Sequence, residues 1–217
     1  MNSFPERLSR LIPEDFSVQK LKSRDNIAAG EIGIDWVVCH PGALPPSVRE
    51  IGIVKIKGAH IDVESFVRTP LKVHTLILHK SLMLPPDQID CLKRAWEVTT
   101  VYDFHDKSRK KELKAAVKRE KEALPGDFNK AVINPESSQD KKVKVICSRG
   151  YIDEALSMVL RKERPMSTVT SLKFARIDFQ EMPDTFAKVV AISRDTKVGL
   201  KKCSLTEGQR AAFSPGL

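Results

Sequence analysis

Between residues 108 and 124 the chain reads S-R-K-K-E-L-K-A-A-V-K-R-E-K-E-A-L. The stretch contains neither glycine nor proline, Val117 is its one β-branched residue, and Pro125-Gly126-Asp127 follows. Those features predict a helix over 108–124. At 100° per residue, Leu113, Val117 and Leu124 share a narrow apolar stripe flanked by Ala116 and Ala123. Lys110, Lys111, Lys114, Lys118 and Lys121 share an adjacent arc, where ammonium groups three and four residues apart repel at roughly a few tenths of a kcal/mol per pair. An anionic partner would remove that repulsion, so the lysine arc is a candidate contact for phosphates of RNA or of lipid headgroups. Lys141, Lys142 and Lys144 extend the expected footprint. The competing reading is a solvated helix face kept soluble by Glu112, Glu120 and Glu122.

The charge of the whole chain points the same way. Its 217 residues carry 37 Lys and Arg against 28 Asp and Glu, a net of +9. Residues 1–105 hold 13 of each sign, so the entire excess lies in 106–217. Such asymmetry favours a polyanionic partner, nucleic acid or an anionic membrane surface. No zinc-finger, RNP1 or KH signature points to sequence-specific readout. The apolar stripe is too thin for insertion into a bilayer, which leaves electrostatic attachment as the membrane mode. Basic chains of this kind, without enzymatic motifs, are similar in composition to viral structural or movement proteins and to ribonucleoprotein components.

Cys39, Cys91, Cys147 and Cys203 lie more than fifty residues apart, which excludes a CxxC zinc or thioredoxin motif. Free thiols, no apolar leader and no apolar run near ~20 residues read as a cytosolic or nuclear protein without a transmembrane segment. The tract from Val143 to Gly150, V-K-V-I-C-S-R-G, puts a cysteine between a strand and a helix start. It resembles the active-site loop of rhodanese-type sulfurtransferases over about a dozen residues. That resemblance implies a thiolate at Cys147, favoured by Arg149 and the helix dipole. The chain departs from the pattern at Ile152 and Asp153, where basic and hydroxyl residues would close the loop, and a buried structural cysteine is the alternative. His40, His60, His74, His79 and His105 have no metal-ligand spacing, and HExxH, GxSxG, Walker A and GxGxxG are all missing. The reading is therefore a binding protein, not an enzyme, with no cofactor.

Strands are expected at 32–39, 51–63, 71–78, 97–104, 143–147 and 172–179, and helices after Pro85-Pro86, over 108–124 and over 152–161. The first thirty residues read as a polar helical lead-in, 134–142 as a loop, and 186–193 as strand or helix. Mixed order favours an α+β fold: one compact domain over 1–204, with a flexible tail over 205–217. The alternative is an α/β solenoid resembling leucine-rich repeats. It rests on Leu44-Pro45-Pro46, Leu84-Pro85-Pro86 and Met182-Pro183, each between a strand-like and a helix-like run. That alternative implies a protein partner or self-association in place of a polyanion.

Overall fold

The computed structural model describes residues 3–25, 27, 30–105, 108–123, 129–137 and 141–213, with the backbone alone at 121–123. In chain order the elements begin α1 (Phe4–Leu11), β1 (Ser17–Arg24), β2 (Ile32–Val38), β3 (Glu50–Ile56), α2 (Val63–Val67) and β4 (Lys72–Leu78). They continue with α3 (Pro86–Ala95), β5 (Thr100–Asp103), α4 (Lys110–Ala123), β6 (Asn129–Ile133), β7 (Lys142–Ser148) and α5 (Ile152–Leu160). The last are β8 (Ser171–Ala175), α6 (Pro183–Ile192), β9 (Lys197–Lys201) and α7 (Glu207–Phe213). The architecture is mixed α/β with parallel strands, and the chain forms two compact units, 34–142 and 1–33 with 143–217. No helix among the described residues is long and apolar enough to cross a membrane.

In the 34–142 unit the strand order is β5-β4-β3-β6-β2, and every neighbouring pair runs parallel. Ile51, Ile53, Val54 and Ile56 on β3 are buried, as are Val73, Leu76, Ile77 and Leu78 on β4. Such near-continuous apolar runs mark strands covered on both faces. From β3 the chain steps outward to β4 and β5 through α2 and α3. The Trp96 indole after α3 stacks on Phe66 of α2 at 5.8 Å and donates to the Phe66 carbonyl at 3.0 Å. From β5 the chain turns back and places β6 on the other side of β3. With right-handed crossovers, that reversal puts α4 on the face opposite α2 and α3. There Val117 packs with Ile53 and Ile77.

In the other unit the order is β7-β1-β8-β9, with β1, β8 and β9 parallel. Leu21, Leu172 and Phe174 form its inner sheet face and are buried. An aromatic chain runs from Phe174 through Phe179 to Phe186 on α6, at centroid spacings of 5.9 and 5.5 Å. The Asp153 carboxylate on α5 accepts from Thr185 Oγ1 at 2.9 Å and Lys188 Nζ at 3.1 Å on α6, which fixes the two helices together. The Arg7 guanidinium on α1 donates to the Gly30 carbonyl at 2.6 Å and to the Tyr151 hydroxyl at 3.1 Å.

Several elements differ from the sequence-based expectations. The N-terminal region holds α1 but then strand β1, not a continuous helical lead-in. Strand β9 occupies 197–201, for which the sequence gives no element, and helix α7 occupies 207–213 within the expected flexible tail. The three unexpected strands, β1, β6 and β9, each hold only two or three apolar residues among polar or small ones, so their hydrophobic signal is weak. β3 stops at Ile56 because Gly58 takes a left-handed φ of 110°. The ambiguous 186–193 segment lies within α6, opened by Pro183 in the first turn.

Candidate anion-binding site

Helix α4 is built almost wholly of strong helix formers and binds the sheet through one narrow contact, Leu113 and Val117 one turn apart. A stripe this thin cannot cover the sheet face beneath it. Beside the helix a cavity of about 630 Å³ remains, floored by the strands and walled by α4. Its α4 wall carries Lys110, Lys114 and Lys118, and its floor carries Lys55 of β3 and Lys130 of β6. Lys80 and His79 enter from the end of β4, and Phe104 from the end of β5. Ile77 and Val117 supply the apolar part of the lining. The cavity lies near the carboxyl ends of β3, β4 and β5, where the strand order reverses between β3 and β6. In open parallel sheets such reversals are where ligands bind.

Among the described residues no carboxylate lines this cavity. The acids of α4 whose side chains are described are engaged elsewhere. Glu112 pairs with Arg109 at 3.2 Å, which holds its carboxyl below the usual range. Glu120 accepts from the Tyr102 hydroxyl at 3.1 Å and lies 3.8 Å from His74 Nδ1. Lys130 faces Asp35 at 3.6 Å. Lys110 and Lys114 make no ion pair among the described residues. His79 is pushed below its ordinary pKa by burial and then by Lys55, Lys57, Lys80 and His105. It is therefore a neutral imidazole at pH 7, bonded to Ser81 Oγ at 2.8 Å. His105, near the same strand ends, is held by Asp103 through Nδ1.

Of the lysines expected from the sequence to contact an anion, three gather here. Lys111 is exposed on α4 but does not line the cavity. The side chain of Lys121 lies outside the described residues. Lys141, with a left-handed φ of 33°, and Lys142 and Lys144 on β7 are not part of the lining. Lys55, Lys80, Lys130, His79 and Phe104 were not anticipated. Lys55 alternates with apolar neighbours in I-V-K-I, a polar position on an otherwise buried strand, and that was the available signal.

The second cysteine-based expectation meets a different environment. Cys147 is fully buried, and burial pushes its thiol up to about 12. A thiol so placed is not ionised at neutral pH, and thiolate chemistry at Cys147 draws no support from its surroundings. Among the described residues no group of three His, Cys, Asp or Glu is placed to hold a metal ion.

The arrangement can hold phosphates by charge, with an apolar and aromatic side against which a base or sugar could rest. Set against known proteins, the chain matches no protein-family model, no curated protein and no solved structure.

Proposed function

We propose that the protein attaches to RNA as a polyanion, without catalysing a reaction, by seating phosphates in the cavity beside α4. The observation that carries this reading is that, among the described residues, six lysines and no carboxylate line one concave site. A volume of about 630 Å³ falls within the range of small-molecule pockets, large enough for a nucleotide unit and unlike a flat lipid surface. Among the described residues Phe104 is the one phenyl ring in the lining, which suits one stacked base and not sequence-specific readout.

Titration of a fluorescent single-stranded RNA at several salt concentrations tests the proposal. Neutralising about six phosphates on a single strand gives a log–log slope near −4. Lys110→Glu with Lys114→Glu should weaken binding and flatten the slope by at least about 1.4, the share of two phosphates. An unchanged slope in the double variant would place the contact elsewhere and refute the reading.

A second reading, a repeat scaffold for a protein partner, is favoured by one set of observations. Paired residues on successive parallel strands lie 22 residues apart from Ile51 to Val73, 25 from Thr75 to Thr100 and 26 from Ser171 to Lys197. Those intervals fall within leucine-rich-repeat lengths. Arg176 and Lys202, at equivalent strand ends, both adopt left-handed φ, 61° and 55°. If the β9–α7 segment is a terminal repeat, a chain lacking 197–213 should still unfold cooperatively. Collapse of that truncated chain to a non-cooperative state would exclude this alternative.

A further inference from the structure

The unit formed by 1–33 and 143–217 carries a second basic surface, independent of the α4 cavity. Parallel register sets Lys22 beside Lys173, and Lys173 beside Gly199. Side chains two residues apart share a face, so Lys20, Lys22 and Arg24 of β1 point the same way as Lys173 of β8 and Lys197 and Lys201 of β9. The inward partners Leu21, Leu172 and Phe174 are buried, whereas Lys173, Lys197 and Lys201 are exposed. Among the described residues, none from a helix lines the hollows between these lysines. Where Gly199 lacks a side chain, a hollow of about 270 Å³ opens between Lys20, Lys173, Lys197 and Lys201. At the strand ends a second hollow of about 470 Å³ adds Arg176 and Lys202, with Asp25 the one carboxylate among the described residues that line either.

We propose that this sheet face docks on an anionic membrane surface, with a lipid phosphate headgroup seated in the Gly199 hollow. Charge complementarity carries the choice of an anion, and shape and composition carry the choice of lipid. Three adjacent strands spaced about 4.8 Å apart, with residues repeating at about 6.6 Å, make a broad array of ammonium groups, not a groove. The outward positions from Lys20 to Arg24, Ser171 to Ala175 and Lys197 to Lys201 hold only Lys, Arg, Ser, Ala and Gly. No aromatic ring stands among them for a base to stack on, and single-stranded nucleic-acid surfaces draw much of their affinity from such rings. A planar layer of headgroups needs neither groove nor stacking. Each lysine held near such a surface is worth about fivefold in partitioning.

Flotation of the full chain with vesicles of phosphatidylcholine containing phosphatidylserine, against phosphatidylcholine alone, tests this. The expected result is binding to the anionic vesicles only, released by about 0.5 M salt, where the screening length falls to a few ångströms. Lys173→Glu with Lys201→Glu should reduce binding by at least about 25-fold, two lysines at fivefold each. Gly199→Glu is a second variant that leaves every lysine in place. A Cβ there meets only the Leu172 carbonyl oxygen at 4.0 Å, so the new carboxylate enters the hollow without backbone strain. It too should lower vesicle binding, while Lys110→Glu/Lys114→Glu should not. Failure of the wild-type chain to bind anionic vesicles would overturn the proposal. So would undiminished flotation of the folded Gly199→Glu variant, or loss of RNA binding in place of vesicle binding. Loss or retention of vesicle binding leaves the reading of the α4 cavity untouched, whereas loss of RNA binding in Gly199→Glu would move the RNA contact to this face and count against that reading as well.

Discussion

The Tyr102 hydroxyl donates a hydrogen bond of 3.1 Å to the Glu120 carboxylate, joining the β5 edge to the last full turn of α4. This bond turns an acid of the lysine helix toward the sheet edge and away from Lys110 and Lys114. Burial and the Glu120 carboxylate together raise the Tyr102 phenol above its ordinary pKa. Tyr102→Phe removes the donor and keeps the ring. Because the pair is partly solvated, the expected loss is about 0.5–1 kcal/mol, read as a lower urea midpoint at unchanged m-value. A midpoint equal to wild type would mean that the bond does not hold α4 in place.

His79 provides a pH readout of the cavity. Its folded pKa lies below the ordinary 6.5 of a free imidazole, so the unfolded chain takes up the proton first as pH falls. The stability tied to His79 is therefore present above about pH 6.5 and declines as pH drops from there toward the folded pKa. A bound polyanion offsets Lys55 and Lys80, so it should raise the His79 pKa and bind more tightly in that same window. An NMR titration of the imidazole with and without RNA checks both signs. A pKa that stays put on saturation would remove the anion from the vicinity of His79.

Cys147 should resist alkylation. With the thiol at about 12 and no solvent exposure, iodoacetamide at pH 7.5 should modify the partly exposed Cys39, Cys91 and Cys203 first. Cys147 should follow only at the rate of unfolding, as peptide mass mapping with time would show. Fast labelling at that position in native buffer would restore the sulfurtransferase reading.

Arg176 holds a left-handed φ of 61° at the end of β8 without the freedom of glycine. Such a conformation costs a residue with a Cβ about 1–2 kcal/mol. Arg176→Gly relieves this, while added flexibility of the unfolded chain cancels part of the gain. A net stabilisation of up to about 1 kcal/mol is expected, seen as a higher melting temperature. A lower melting temperature would indicate that the Arg176 side chain contributes more than its backbone costs.

How far these features were legible in the sequence depended on the range of the interactions. Helix α4 follows from residues 110–123 alone, because good helix formers and a two-residue apolar contact are local properties. Its cavity does not, since Lys55 and Lys130 meet it only after the chain reverses between β5 and β6. Central strands such as β3 and β4 announce themselves by unbroken aliphatic runs. Edge and one-sided strands such as β9 do not, because K-V-G-L-K spends every second position on solvent. The alternation of Lys20, Lys22 and Arg24, read as strand periodicity and not as bulk charge, was the overlooked clue to the second basic face.

The pairing of Leu21 with Leu172 also governs the order of events at the ribosome. Strand β1 emerges early yet has no neighbour on the β8 side until about 150 further residues are translated, a wait of roughly 8–30 s at ordinary elongation rates. Closing that separation costs roughly 1.6 kcal/mol more chain entropy than a 25-residue return such as Thr75 to Thr100. The 34–142 unit, whose partners arrive in quick succession, should therefore gain protected amides first in pulse-labelled refolding. Until β8 appears, Val18 and Leu21 stay uncovered on the nascent chain, the segment most in need of a chaperone.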